Sequence, residues 1–439
     1  MSGALSQIAA RGIQNGLTQH HAVHGSRHTH NGYSPFRCRI EKPSSFAMEP
    51  RKIEFNGSPN WGSRATATIT FSADLLTKVF LVVDLPTLDG TSQLCDDWGH
   101  AMIAEVSLEI GSVVHNVFSG DYLHFLESQT VPVDKRCTEM HGRFCDRAVA
   151  DNGSEGAEGK ALLATTGDQD GKVLFPVAYS QSKSRRAYIP LPFWFCRDYC
   201  NALPLVAMHL SEAKVKVTFR SQSDVIFQGT AATFAISDVH LLGEYVFLND
   251  TSRHRFANSE HPYLITQVQE DVSSVASSVS PNTTIKNRLS MNHMVKELCW
   301  THVASTDVGK RFITAGDETG AIAGTGTGDS MSASTLLLNN NKRWDSLDAL
   351  YHRVVQPHCM HTVVGNPGGV VDEFLYSFSF ALDPEGHAPS GTINFSRIEN
   401  IELEIKYATA RSASTLYIWA VSYNAVRVKN GVASLHFSS

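Results

Sequence analysis

Hydrophobic and polar residues alternate with a period of two through much of the chain. Ala65, Ala67, Ile69 and Phe71 are interleaved with Thr66, Thr68 and Thr70. Val106, Leu108 and Ile110 flank Ser107 and Glu109, and Gly111 ends that run. Val215, Val217 and Phe219 alternate with Lys214, Lys216 and Thr218, and Ile401, Leu403, Ile405 and Tyr407 with Glu402, Glu404 and Lys406. Each pattern predicts a strand with one face in a core and the other in water. Val79 to Val83 is apolar throughout, as expected of a strand covered on both sides. Many short strands, turn residues between them and little helix predict an all-β sandwich or jelly roll.

The arrangement occurs twice. In the first half a strand at Val106–Ile110 precedes a helix-like segment at Asp121–Glu127, an aromatic strand at Tyr188–Phe195, a Pro-containing turn and the strand Lys214–Phe219. In the second half the strand Thr335–Leu338 precedes the helix-like Trp344–His352, the aromatic strand Phe374–Phe380, a Pro-Ser-Gly turn and the strand Glu402–Tyr407. Residue identity between the halves is poor, so the repeat is one of pattern. The boundary is expected near Asn249–His261, where turn formers and the polar run Arg253-His254-Arg255 interrupt the strands. Asp146–Lys172 and the Gly-rich Ala315–Ser334 have too little apolar content for a core and are expected to project as loops. The first turns, with Leu5, Ile8, Ala9 and Ile13 at helical spacing, are weakly helical.

At 439 residues, 42% hydrophobic and 18% charged, the chain can fill two cores of ordinary size. A formal charge of −6 excludes a globally basic nucleic-acid binder, but the charge is uneven. Arg11, Arg27, Arg37 and Arg39, with no acid among residues 1–40, give that segment +4 and leave −10 for the rest. It reads as a solvated tail or as a basic arm that meets an anionic neighbour. No secretory leader or membrane span is expected: the start lacks a basic segment followed by an apolar run, and Lys78 and Asp84 close the most apolar stretch. The eight cysteines form no zinc framework and are expected to be buried free thiols.

Candidate chemistry is sparse. His20, His21, His24, His28 and His30 crowd the arm, but no acid or cysteine stands near to complete a metal site. His28-Thr29-His30 offers a cupin-like His-x-His, yet the first acid is Glu41, too far on. Gly324-Thr325-Gly326-Thr327-Gly328 lacks the Gly-Lys-Ser/Thr of a phosphate loop, and no nucleophile elbow appears. Asp96, Asp97 and His100 lie together beside Trp98 and are expected to form a turn between strands. The aromatic groups Phe193-Trp194-Phe195 and Phe374, Tyr376, Phe378 and Phe380 could form a glycan platform, but aromatics on strands more often fill cores. No catalytic, cofactor or metal site is expected, so the work of the protein falls to its surfaces.

One string carries a specific resemblance. Pro389-Ser390-Gly391-Thr392, then Asn394-Phe395-Ser396-Arg397-Ile398 and Asn400, resembles the second-domain signature of the major capsid proteins of large icosahedral DNA viruses, of the chlorella-virus and iridovirus kind. Further anchors fall in the same order: Gly3-Ala4-Leu5-Ser6-Gln7, Ala202-Leu203-Pro204-Leu205-Val206-Ala207, Tyr245-Val246-Phe247-Leu248, Arg255-Phe256-Ala257 and Tyr423-Asn424-Ala425-Val426-Arg427. The resemblance implies two consecutive eight-stranded jelly rolls. The expected division is a basic arm over 1–31, a first roll over 32–249, a linker over 250–262 and a second roll over 263–439. It also implies a structural protein of the virion capsid, assembled in the host cytoplasm from pseudo-hexagonal homotrimers that tile an icosahedral shell. Loops would face outward and could carry glycans. The arm would meet minor capsid proteins or an internal membrane, with no specific nucleic acid as partner. The alternative from another class is a soluble jelly-roll glycan-binding protein of the lectin kind.

Overall fold

The computed structural model describes residues 46–85, 93–95, 97–132, 185–228, 235–275, 283–304, 331–364, 374–407 and 414–437, with single positions 135, 140 and 329. The N-terminal arm, Asp146–Lys172 and most of Ala315–Ser334 lie outside the described residues. Residues 331–334 of that expected loop belong instead to a strand.

The first sandwich is built from β1 (Phe46–Asn56), β2 (Arg64–Thr68), β3 (Leu75–Leu85), β5 (Ile103–Ile110), β6 (Val113–Ser119), β7 (Arg185–Pro190), β8 (Ala213–Phe219) and β10 (Ser237–Leu248). A small separate pair joins β4 (Gln93–Leu94) to β9 (Ile226–Gln228). The main strands run in the spatial order β6-β5-β8-β2-β1-β10-β3-β7. β1 turns the corner: Phe46 to Glu54 pair with β10, while Phe55 and Asn56 pair with β2. One strand thus belongs to both β1-β10-β3-β7 and β6-β5-β8-β2-β1, and the two sheets close on a shared core. The alternation predicted for β8 holds, with Ala213, Val215, Val217 and Phe219 buried and the lysines outside. β3 is buried on both faces except at Lys78, Phe80 and Asp84.

The second sandwich comprises β11 (His261–Val275), β12 (Thr284–Arg288), β13 (Met294–Ala304), β14 (Met331–Leu338), β15 (Asn341–Asp348), β16 (Leu375–Ser379), β18 (Ile401–Tyr407) and β19 (Ser414–Lys429). The sheet β11-β19-β13-β16 faces β12-β18-β14-β15, and β17 (Ile393–Asn394) and β20 (Val432–Leu435) extend the first of these. Leu298 and Trp300 from β13 and Leu403 and Ile405 from β18 meet in its core. Among the described residues each half therefore has eight principal strands in two antiparallel sheets, a double jelly roll. No described helix is long and apolar enough to cross a membrane.

Several local expectations need correction. The aromatic strand at Tyr188–Phe195 stops at Pro190, and Trp194–Cys196 form a 3-10 turn, because Pro190 and Pro192 cannot donate to a ladder. Of the helix-like Trp344–His352 only the end, residues 349–352, is helical. Residues up to Asp348 form β15, and a π-helical turn follows at Tyr351–Val355. Pairing with β14 overrides helical spacing there, and stacking of Trp344 on Phe378 at 4.1 Å anchors the strand. Phe71 was expected on a buried face but is exposed, since β2 ends at Thr68. The turn formers at Asn249–His261 include a nine-residue helix, Asp250–Asn258, in which Asn249 accepts a hydrogen bond from Ser252 N. Asn249 is an N-cap, and what resembled a loop signal is a helix start. Cys200 and Cys359 are exposed, so buried thiols describe only part of the cysteine set.

The signature turn has a clear steric cause. Gly391 has φ +148°, and a Cβ there would lie 2.9 Å from the carbonyl oxygen of Phe380. Only glycine fits without displacing that backbone. Ser390 Oγ donates to Asp383 O and accepts from Asp383 N, which ties the two ends of the loop together.

Candidate functional site

The two rolls meet along the edge strands β6 and β11. Asn116 Nδ2 donates to Thr266 O at 2.9 Å, Gln267 Nε2 to His115 O at 2.8 Å, and Ser119 Oγ to Glu270 Oε2 at 2.5 Å. Side-chain amides on each edge therefore satisfy carbonyls of the other, which blocks slippage between two otherwise open edges. Behind them the helix Gly120–Thr130 presents Tyr122 and Phe125 to Trp419 on β19, with ring centroids 5.9 and 5.5 Å apart. Trp194 and Tyr263 add a further pair at 5.0 Å. The apolar core of the first roll continues without a break into Ile265, Leu375, Trp419, Val421 and Val428 of the second.

Beside this continuous core lies a cavity of about 290 Å³, walled by Tyr122, Phe125 and Val421 and by the polar side chains of Arg197, Lys296, Glu297, His361 and Glu385 among others. His361 Nε2 lies 2.6 Å from Glu297 Oε1 and its Nδ1 lies 3.2 Å from Glu385 Oε1. Burial alone would lower the imidazole pKa, but the two carboxylates outweigh it and hold it at about 9. Lys296 shows the reverse balance. Burial and the nearby Arg197 bring its ammonium down to about 8, against Glu297 and Asp383. Its Nζ donates to Pro384 O. The arrangement neutralises buried charge, and the Cys299 thiol beside Glu297 is held protonated, because burial and that carboxylate push its pKa well above the ordinary value.

A second buried cluster lies inside the first roll. Asp97 Oδ2 is 2.7 Å from His100 Nδ1 and 2.6 Å from His124 Nδ1, with Glu127 Oε2 3.6 Å from His100 Nδ1. Asp97 and His100, expected in a turn, belong instead to the short helix Trp98–Ala101 and its N-cap. His124 comes beside them from the helix Gly120–Thr130, a partner that spacing along the chain does not reveal. Asp96 lies outside the described residues.

Comparison with known proteins adds the decisive observation. Residues 34–249 match the family described as major capsid protein N-terminus, and residues 252–434 that of the large eukaryotic DNA virus major capsid protein. The chain belongs to the major capsid proteins of large eukaryotic DNA viruses. It is 29% identical over 456 residues to the major capsid protein of Pyramimonas orientalis virus, with all of both chains covered. To that of Paramecium bursaria Chlorella virus 1 it is 26% identical over 485 residues, again over all of both. Among solved structures, the quasi-atomic PBCV-1 virus capsid superposes with a TM-score of 0.72 at 25% identity, covering 92% of this chain and all of that one. The Faustovirus major capsid protein shares the fold, with a TM-score of 0.68 at 13% identity over 90% of this chain and 92% of that one.

As a major capsid protein the chain is a structural component of the virion shell, and proteins of this family are not enzymes. Its aromatic clusters serve the cores: Phe193, Trp194, Phe195, Phe374 and Tyr376 are buried, and Phe378 and Phe380 pack against the second core. A strand-borne glycan platform is therefore not what these rings form. The outward apolar residues are more informative for a shell protein. Val113, Val114 and Val117 on β6 are exposed, as are Leu210 beside Gly431, Val432 on β20 and Leu382 in the signature loop. The arm histidines and the Gly324–Gly328 run lie outside the described residues.

Proposed function

We propose that three copies of this chain associate into a pseudo-hexagonal capsomer, and that such capsomers tile an icosahedral shell. The observation that carries the reading is the uninterrupted apolar core between the rolls. Two like sandwiches held edge to edge as one block give a subunit two similar sides, so three subunits supply six. The exposed apolar side chains on β6 and at Leu210 are available to be covered in such an assembly. The chain divides into an arm over 1–31, rolls over 32–249 and 263–439, and a connection over 250–262. Its arm contacts minor capsid proteins or an internal membrane, its long loops face outward and can carry glycans, and assembly takes place in the host cytoplasm. Electron microscopy of the purified full-length protein tests the capsomer directly. Class averages with a six-lobed outline and threefold symmetry are expected, and single two-lobed particles would contradict the proposal.

A further inference from the structure

We propose that Asp97, His100, His124 and Glu127 form a structural binding site for one divalent transition-metal ion, of which zinc fits best, inside the first roll. The spacing is the first ground. Asp97 and His100 stand three residues apart, as do His124 and Glu127, so each short helical segment turns one acid and one imidazole to the same side. The two segments then face each other, and the ligand atoms of Asp97, His100 and His124 all lie within 4.8 Å of one another.

The second ground is how Asp97 is held. It occupies the N-cap of Trp98–Ala101, yet its side chain makes no capping hydrogen bond, and its backbone is left-handed at φ 51° and ψ 44°. An aspartate in that position ordinarily accepts from the helix start, worth ~1 kcal/mol. Here the carboxylate is turned from that role into the cluster, in a backbone conformation that itself costs energy. The third ground is close approach. A Cβ on Gly120 would lie 2.2 Å from His100 O and 2.4 Å from Ile103 O, so glycine is what allows the helix bearing His124 to reach the turn bearing His100.

Burial decides the class of ligand. Asp97, His100, His124 and Glu127 are 0, 2, 3 and 9% exposed. Two carboxylates enclosed in protein are costly, and a divalent cation bound between them offsets that cost. Two imidazole nitrogens and the Asp97 carboxylate make a borderline donor set that suits zinc, and Glu127, whose Oε2 lies 3.6 Å from His100 Nδ1, would swing in as an enclosed fourth donor, which marks a structural centre rather than a catalytic one. At 2.6 and 2.7 Å the donors now hydrogen-bond each other. Around zinc, with tetrahedral bonds of ~2.0–2.1 Å, they would separate by roughly 0.7 Å, a rotamer adjustment. The ion would clasp the very helix whose Tyr122 and Phe125 receive Trp419 of the second roll.

The test must exclude the arm, so His20, His21, His24, His28 and His30 are replaced by Asn in the full-length chain. This protein is stripped with a chelator, supplied with zinc chloride, passed over a desalting column and assayed for metal. About one zinc per chain is expected, with a rise in unfolding temperature given by zinc and not by magnesium. Cobalt(II) should give the intense visible bands of a four-coordinate centre, and X-ray absorption should report mixed nitrogen and oxygen donors without sulfur. His124→Asn in the same background should abolish retention. Should that variant fail to fold, the cobalt and absorption spectra of the arm-substituted protein decide alone. No zinc on the arm-substituted protein, or zinc that survives His124→Asn, would overturn the proposal and leave a hydrogen-bonded His–Asp–His network.

Discussion

His361 shows how one residue can make the stability of the second roll depend on pH. Its folded pKa of about 9 stands above the ordinary value of 6.5. Between those values the folded state binds a proton that the unfolded state does not, so stability falls as pH rises. The contribution is complete below about 6.5 and is lost through 9. Lys296 acts oppositely, because its pKa is depressed to about 8 from 10.5, and its effect begins only above 8. The interval from 6.5 to 8 therefore belongs to His361. Urea unfolding should show a decline in stability on the order of 2 kcal/mol across that interval. His361→Gln should flatten it, whereas an unchanged slope in the variant would show that the Glu297–His361–Glu385 bridge does not hold the proton.

At the scale of elements, strands were legible wherever one face is buried, because period-two alternation and burial have the same cause. β8 and β18 follow their sequence patterns residue for residue. The segment at Trp344 fits a helix as well as a strand, because Leu347 and Leu350 recur at helical spacing. The missed signal was Asn339-Asn340. Both residues have positive φ, at 49° and 63°, and they form the two-residue turn between β14 and β15. Asn tolerates that conformation, so two adjacent asparagines between apolar runs mark a hairpin. Asn430-Gly431 makes the same turn between β19 and β20. The buried Asp97–His124 cluster was not legible, since it joins two helices that only the packed sandwich brings together. The connection Asp250–Asn258 has no buried residue, although Arg253 pairs with Asp74. Limited trypsin digestion should therefore cut near Arg253 or Arg255 well before it cuts β3 or β18. Earlier cleavage within those strands would contradict the assignment of the cores.

At the scale of the whole molecule, the resemblance made the double jelly roll legible, while the joint between the rolls was not. Trp419 and Tyr122 carry no mark in sequence that they will meet. The basic arm makes a separate claim. Its histidines, with an unperturbed pKa of ~6.5, add positive charge as pH falls toward five. Deletion of residues 1–30 should leave the oligomer intact, reduce particle yield and weaken binding to anionic liposomes, more so at the lower pH and at low salt. Loss of the oligomer itself would place the arm in the subunit interface. The most direct test of the central claim is the native mass of purified full-length protein on dilution. Obligate interfaces of ~2,000–5,000 Å² hold at micromolar concentration. The predicted mass is three times the 48.1 kDa of one chain, and a folded monomer throughout that range would contradict it.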